Sequence, residues 1–339
     1  MSPARGGDAA AYPRIAPVPP GTPRPFWSIM IPVYNCAHYL RATLTSVLSQ
    51  LPLEEEVQIE VIDDCSTRDD PAAVVEACGQ GRVSYFRQPA NVGPQANFTT
   101  CIQRARGEWV HILHGDDMVA PGFYRTLQRA AREHPEIGAA FCRSMNVDAA
   151  GTLVDFSELE SEQPGVQENL IGRLAIDNRI RFPTIAVKRD SYERLGGFHP
   201  ALFHSADWDM WKRIAIAVPV WYEPAPLAVY RLHDQSDTSS LMQTGANIAD
   251  ARQAIEIAQT YLPAAERDAL TRGARRYHAL YAIELAEEMI ERGSWRSAAA
   301  QVREGLRCWP SLRMAGAVAH LVVPAVRRLT TRAHAVPSA

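Results

Sequence analysis

Three short polar clusters carry the chemistry open to this chain, and each closes an apolar run. The most telling is His114-Gly115-Asp116-Asp117, after the run 109–113. Two adjacent acids at the mouth of a buried strand are poor structural material. Like charges about 4 Å apart repel by roughly 4 kcal/mol at an effective dielectric of about 20. A divalent cation held by oxygen ligands offsets that repulsion, and so do protonation or solvation on an open turn. The second cluster is Asp63-Asp64-Cys65-Ser66, after the run 57–62, and the third is Pro32-Val33-Tyr34-Asn35, closing the run 27–33. A further acid pair, Asp207 and Asp209, brackets Trp208. A carboxylate of ordinary pKa, about 4, is ionised at neutral pH and can accept a proton from a hydroxyl.

These clusters form a site only if the fold brings them together. The run 27–33 reads as a buried strand, and Leu40, Leu44, Val47 and Leu48 repeat at helical spacing. Residues 57–62 predict a second strand, 71–78 a helix opened by Asp70 and Pro71, and 83–86 a brief third strand. Phe98, Cys101, Ile102 and Ala105 mark another helix with Asn97 as its cap. A strand over 109–113 and a helix over 121–133 follow. Such alternation predicts a parallel sheet covered on both faces. Ligands of these sheets lie beyond the carboxyl ends of the strands, where all three clusters fall. From about residue 137 the pattern is irregular, with strand-like pieces at 139–146 and 184–188 and a helix at 206–217. After Gly245 the chain is Ala-rich and helical, with breaks at Gly293 and Pro310. Residues 281–309 resemble one helix–turn–helix unit of the tetratricopeptide type, read as a lone hairpin because one unit cannot stack alone.

Composition narrows the classes. A chain of 339 residues has room for one large α/β domain and an appendage. Its formal charge of −3 argues against a general nucleic-acid binder. Six cysteines form no CxxC pair and no zinc spacing, which fits a reducing, cytoplasmic compartment. Residues 1–25 are rich in Ala, Pro and Gly, lack an apolar signal core and read as a disordered leader. No run reaches the roughly 18 apolar residues of a spanning helix. Residues 312–326 are apolar and are followed by Arg327, Arg328 and Arg332. Two readings stand: peripheral contact with an acidic membrane surface at its inner face, near a lipid-linked acceptor, or a terminal helix covering the hairpin. The second is favoured.

Seven motifs in order then resemble the inverting family 2 glycosyltransferases of the GT-A fold. They are SIMIPVYN (28–35), VIDDCS (61–66), NVGPQAN (91–97), GEWVHILHGDD (107–117), GGF (196–198), ADWDMW (206–211) and YRLHDQS (230–236). The resemblance implies an α/β, Rossmann-like, mostly parallel sheet flanked by helices, with a C-terminal helical appendage. It divides the chain into the leader 1–25, a transferase domain 26–244 and a helical region 245–339. It implies a nucleotide-sugar donor, UDP-sugar by default, a glycan or lipid-linked glycan acceptor, and Mg2+ or Mn2+.

Residue roles follow from the same resemblance. Pro32, Val33 and Tyr34 would wall the nucleoside pocket, and core packing is an equal reading for Val33. Asp64 would accept from N3–H of uracil, with Asp63 supporting the turn. Asn91, Gly93 and Asn97 would border nucleotide and sugar. Asp116 and Asp117 would hold the metal and the ribose. His114 stands where the family often has an acid. Asp207 would be the general base, with Asp209 a solvated or capping acid. Trp208 and Trp211 offer an acceptor platform or core packing, the latter favoured for Trp211. His233 would join metal or diphosphate, or be a surface histidine, and Arg231 would meet phosphate or form a structural salt bridge. Gly196-Gly197-Phe198 would shape the acceptor pocket by close backbone approach. A sugar-1-phosphate nucleotidyltransferase would want a Gly-rich basic loop after the first strand, where this chain has Tyr34-Asn35-Cys36-Ala37. A catalytically inactive scaffold working through the helical tail is the rival from another class, and the intact acids speak against it.

Overall fold

The computed structural model describes residues 12–50, 57–233 and 237–321. The chain divides into two compact units, residues 1–174 with 178–233, and residues 175–177 with 234–339. The first unit contains β1 (Trp27–Val33), α1 (Ala37–Leu48), β2 (Gln58–Asp63), α2 (Pro71–Cys78), β3 (Ser84–Arg87), α3 (Pro94–Arg104), β4 (Trp109–Ile112), β5 (Met118–Val119) and α4 (Phe123–Glu133). It continues with β6 (Ala139–Val147), β7 (Leu153–Phe156), β8 (Gly165–Val166), α5 (Leu170–Leu174), β9 (Ile185–Lys188), α6 (Arg189–Leu195), α7 (Ala206–Ala217) and β10 (Val220–Arg231). All of these strands join one sheet, in the order β3-β2-β1-β4-β9-β6-β10-β5, with β7 on β6 and β8 on β10. β3, β2, β1 and β4 run parallel, as do β6 and β10, while β9 and β5 pair antiparallel. The sheet is therefore mostly parallel, as the alternating pattern predicts.

Local chemistry explains the elements nearest the site. Every residue of β1 is buried, as a strand inside a doubly covered parallel sheet must be. α1 buries Ala37, Leu40, Thr43, Leu44 and Val47 on one face, against a core that includes Ile29, Ile31 and Val61. α2 opens where its capping signal predicts, the Asp70 side chain accepting from Ala73 N at 3.1 Å. α3 starts four residues earlier than a cap at Asn97 requires, because Gly93 is its N-cap and Pro94 its first residue. Asn97 lies inside the helix and is corrected as a cap.

Two further expectations change. Residues 12–25 have no regular secondary structure but are packed, with Ile15 buried. The Gly197 amide donates to Pro13 O at 2.7 Å, and Arg189 Nη2 donates to Ala16 O at 3.1 Å. The disordered-leader reading is corrected for this stretch, and residues 1–11 lie outside the described residues. β10 is a long strand absent from the sequence reading. Pro224 and Pro226 mask it, and the register shifts around Pro226 show how the chain accommodates them.

The second unit is helical: α8 (Asp237–Thr244), α9 (Ala246–Ala258), α10 (Arg267–Glu291) and α11 (Trp295–Cys308). α10 and α11 form the expected hairpin, with α10 beginning well before residue 281. Residues 312–321 are helical. Residues 322–326 and Arg327, Arg328 and Arg332 lie outside the described residues, so the membrane-surface reading does too. Among the described residues no helix is long and apolar enough to cross a membrane.

Candidate active site

β2, β1 and β4 are neighbours, so their carboxyl ends meet at one edge. Backbone bonds join the clusters there. Asp64 N donates to Val33 O at 2.9 Å, and Gly115 N donates to Pro32 O at 3.1 Å. Gly115 is required by this crossing, since a Cβ there would meet Val33 Cγ1 at 2.5 Å. Pro32 and Val33 are buried beneath the edge, and Tyr34, 47% exposed, is the one of the three that presents a side chain. Asn35 adopts a left-handed φ of 53° and accepts from the amides of Thr67 and Arg68.

The acids of β2 divide the work. Asp63 is fully buried and saturated: Oδ1 accepts from Ser66 N and Oγ, and Oδ2 accepts from Tyr85 Oη at 2.7 Å and Arg87 Nη1 at 2.6 Å. It holds the turn. Asp64 shapes the next loop, accepting from Val92 N at 2.7 Å and from Gly93 N at 3.0 Å. Asn91 Nδ2 adds a bond to Asp64 O at 3.2 Å. Burial raises the Asp64 carboxyl above its ordinary value, against the two amide bonds that lower it. Gly93 takes a φ of 84°, which lets the loop turn into α3. Asn97 is 2% exposed and spans Ile62 O and Gln88 Nε2, so it ties α3 to the sheet and has no face toward a ligand.

Three residues distant in sequence hold the second acid pair. The Thr43 hydroxyl lies 2.7 Å from Asp117 O and 2.9 Å from Gly115 O. Arg231 N donates to Asp117 Oδ1 at 2.9 Å, and Arg231 Nε to Asp116 O at 3.0 Å. Arg231 Nη1 goes to the carbonyls of Asp148 and Ala149, and its guanidinium covers the Tyr39 ring. Among the described residues its guanidinium bonds run to backbone groups and not to a carboxylate, so the salt-bridge reading is corrected to one of positioning the acids. His233 Nε2 sits 2.9 Å from Asp116 Oδ2, so His233 is brought to the pair. Asp117 is 1% exposed and its Oδ2 has no hydrogen-bond partner; His114 Nε2 is likewise buried without one.

These environments drive the two carboxyls apart. Burial raises Asp117, reinforced by the charge of Asp116. Burial acts on Asp116 in the same direction, but the His233 bond and the charges of His114 and His233 bring it below its ordinary value. Burial also lowers His114, against the charge of Asp116, which raises it. Ligand atoms of His114, Asp116 and Asp117 lie within 4.8 Å of one another. Orphaned lone pairs on two of them are what a divalent cation would satisfy, so the donor set fits one.

Asp207 opens α7. Its Oδ2 accepts from Asn178 Nδ2 at 3.0 Å and its Oδ1 from Trp208 N at 2.6 Å. Burial raises its carboxyl above the ordinary value, while His204, Asn178, Trp208 N and Arg181 pull the other way. Tyr230 links the two regions. Burial pushes its hydroxyl up to about 12, opposed by Arg181 and aided by the charges of Asp117, Asp116 and Asp207. Arg181 lies over the Tyr230 ring, 5.6 Å from its centroid. The edge thus offers carboxylates that could hold a cation at Asp116 and Asp117, and Asp207 is a further carboxylate that can accept a proton.

Several neighbours of Asp207 differ from expectation. Asp209 is neither solvated nor capping. It is fully buried and pairs with Arg213 Nε at 2.9 Å. Arg213 also donates to Leu195 O and Gly197 O, so the pair holds the glycine turn. Gly196 makes its close approach to Tyr12 and Pro13, and Gly197 makes its own to Thr99 and Pro13. Trp208 and Trp211 are 1% and 2% exposed, so the platform reading is corrected to core packing. Lys212 is fully buried with its ammonium 3.5 Å from the Trp208 ring centroid. Sequence reasoning missed Thr43, Asn178 and Lys212. Thr43 had a signal, a polar residue on an apolar helix face. Asn178 sits in an irregular stretch and had none.

The profile of the family described as Glycosyl transferase family 2 matches residues 28–196. An uncharacterized protein of Mycobacterium tuberculosis is 29% identical over 258 residues, covering 73% of this chain and 78% of that one. An uncharacterized glycosyltransferase of Rickettsia typhi is 23% identical, covering 64% of this chain and 67% of its own. A second, from Rickettsia felis, is also 23% identical, and the match spans 36% of its length. Among solved structures, S. aureus TarS 1-349 in complex with UDP-GlcNAc aligns with a TM-score of 0.63 at 16% identity, over 83% of this chain and 91% of that one. Mannosyltransferase PcManGT of Pyrobaculum calidifontis, in complex with GDP-Man and Mn2+, aligns with a TM-score of 0.57 at 18% identity, over 95% and 88%. At such identities the two structures speak for the fold.

Proposed function

The chain belongs to the family 2 glycosyltransferases, and from that premise we propose that it moves a sugar, with inversion, from a UDP-sugar to a hydroxyl of a glycan or lipid-linked glycan. Residues 26–244 are the transferase domain in this reading, working in the cytoplasm and dependent on Mg2+ or Mn2+. The observation that carries it is the meeting of three strand ends at one edge, with the half-orphaned acid pair at its centre and Tyr230 in the fields of both that pair and Asp207.

Tyr34 offers an exposed ring to the nucleoside. Asp64 orders the 91–93 loop and keeps a second lone pair on each oxygen for the base. Asp116, Asp117 and His233 would hold the cation, which supplies charge balance for the departing diphosphate. Arg231 fixes both acids through its backbone amide and its guanidinium. At Asp207, the acceptor oxygen bonds to the anomeric carbon as the bond from that carbon to the diphosphate oxygen breaks. The acceptor proton passes to an Asp207 carboxylate oxygen. A carboxyl raised by burial is the stronger base for that step.

The test is thermal unfolding with UDP, GDP and dTDP, each with and without Mn2+. Ligand at about 100 times its Kd stabilises by roughly 2.7 kcal/mol, a shift of several degrees. A cation-dependent shift for UDP or dTDP, lost in Asp116→Asn/Asp117→Asn, is expected. No shift with any nucleotide overturns the donor site.

A further inference from the structure

His114 gives the acid pair a donor that an all-carboxylate cluster lacks. One of its ring nitrogens and one oxygen each from Asp116 and Asp117 lie within 4.8 Å of one another. Two ligands on opposite sides of an ion with bonds of about 2.1 Å are about 4.2 Å apart, so the three reach a common centre after a small closure. The second observation is independent of that clustering. Asp117 is 1% exposed, and its Oδ2 makes no hydrogen bond. His114 Nε2 is also buried and unbonded. A buried polar atom without a partner costs about 1–3 kcal/mol, so two of them in one cluster call for a shared ligand.

The imidazole is also held in place. It stacks on Phe98 with ring centroids 5.0 Å apart and an interplanar angle of 15°. Phe182 closes on it at 4.5 Å. A ring clamped by two aromatics cannot swing aside to let water or another oxygen take its place, so the nitrogen stays in the centre's ligand shell.

We propose that His114 is a nitrogen ligand of the centre at Asp116 and Asp117, and that it makes this centre select a first-row transition cation, Mn2+ as the probe, over Mg2+. Magnesium demands oxygen donors in near-ideal octahedral geometry, whereas imidazole suits the transition series. A carboxylate at position 114 would supply oxygen and a third negative charge, and would favour Mg2+ correspondingly. The proposal rests on the transferase reading only for placing a cation at this pair. It does not depend on which sugar moves, or on turnover at all.

The experiment is Mn2+ binding to the full chain, read from loss of the free-Mn2+ electron paramagnetic resonance signal. It is done with and without UDP, then with Mg2+ as competitor. Wild type, His114→Asp and His114→Ala are compared, with Asp117→Asn marking the site, and metal-free unfolding curves verify that each variant folds. The wild type should prefer Mn2+ by about tenfold or more. His114→Asp should bind both cations and bring the ratio to within about threefold, and His114→Ala should lose most of its Mn2+ affinity. His114→Asp rescues the case in which the alanine variant fails to fold. An unchanged Mn2+-to-Mg2+ ratio in both variants, with binding still lost in Asp117→Asn, overturns the role of His114 and leaves the transferase reading standing. Absence of cation binding by the wild type, with and without UDP, overturns the proposal outright. Selective Mn2+ binding without release of UDP from any donor supports the proposal and counts against the transferase reading instead.

Discussion

Asp64→Asn separates holding a loop from reading a base. The carboxylate is 3% exposed and receives two backbone amides, Val92 N at 2.7 Å and Gly93 N at 3.0 Å. Asparagine keeps one carbonyl oxygen and turns an amide NH2 toward the other N–H, so one bond becomes a donor–donor contact. A hydrogen bond to a charged group is worth about 1.5–3 kcal/mol, and burial leaves water little room to repair the loss. With about 1 kcal/mol shifting Tm by 2–4 °C in a domain of this size, the variant should melt about 3–12 °C lower. The loop that Asp64 orders then has to be ordered by the ligand, which weakens UDP binding by about 10–100-fold at about 1.4 kcal/mol per decade. A carboxylate that also accepts from uracil N3–H has a second consequence. The asparagine NH2 can donate to N3 of cytosine, so the preference for UDP over CDP should narrow. Thermal unfolding and calorimetric titration with both nucleotides give all three numbers. A Tm within a degree of wild type and unchanged UDP affinity would refute the loop argument. Equal weakening of UDP and CDP would leave Asp64 as a loop holder and remove it from base recognition.

Other outcomes follow from neighbouring contacts. Arg213→Met removes the cation paired with buried Asp209 and strips donors from Leu195 O and Gly197 O; urea unfolding should show a loss of about 3–5 kcal/mol, and a loss below about 1 kcal/mol contradicts it. Burial depresses the Lys212 ammonium to about 7, against the charges of Asp209 and Asp207, while the unfolded chain holds that proton to about 10.4. Wild-type stability should therefore rise between pH 7 and pH 10, where only the unfolded chain is protonated; Lys212→Met should lack that rise and be the more stable protein at pH 6, and parallel pH curves would contradict this. Asn178→Ala removes one of the bonds that restrain the raised Asp207 carboxyl, so with Asp207 as the proposed base activity should be lost at a higher pH as the medium is acidified. An acid limb of kcat/KM that does not move would show that Asn178 does not tune Asp207.

The half of the sheet that builds the edge was legible because its signals are local. β1 is apolar at every inward position, and Asp70-Pro71 announces α2 by capping and by a fixed backbone angle. β10 was illegible because two prolines break the strand pattern while bulges preserve the pairing. Site chemistry followed the same division. That Asp63 supports a turn can be read from Ser66 three residues on, which supplies two of its bonds. That Arg231 serves carbonyls near residues 116 and 148, and that Asp209 is neutralised by Arg213 beside Tyr12, depends on contacts the topology makes and spacing does not reveal. Trp208 illustrates the same point. An aromatic beside an acid suggests a sugar platform, but here its Nε1 bonds to Leu174 O and its ring shelters a lysine.

In the proposed reaction Asp207 is the base that accepts the acceptor's proton. The most direct measurement compares Asp207→Asn with wild type for UDP affinity in the presence of Mn2+ and for release of UDP from a panel of UDP-sugars with glycan acceptors. Asparagine preserves the size of the side chain and its bond to Trp208 N, but it cannot take the proton. Affinity should stay within about twofold while turnover falls by about 100-fold or more, the usual range for removing a general base. Equal turnover in the two proteins would contradict the account.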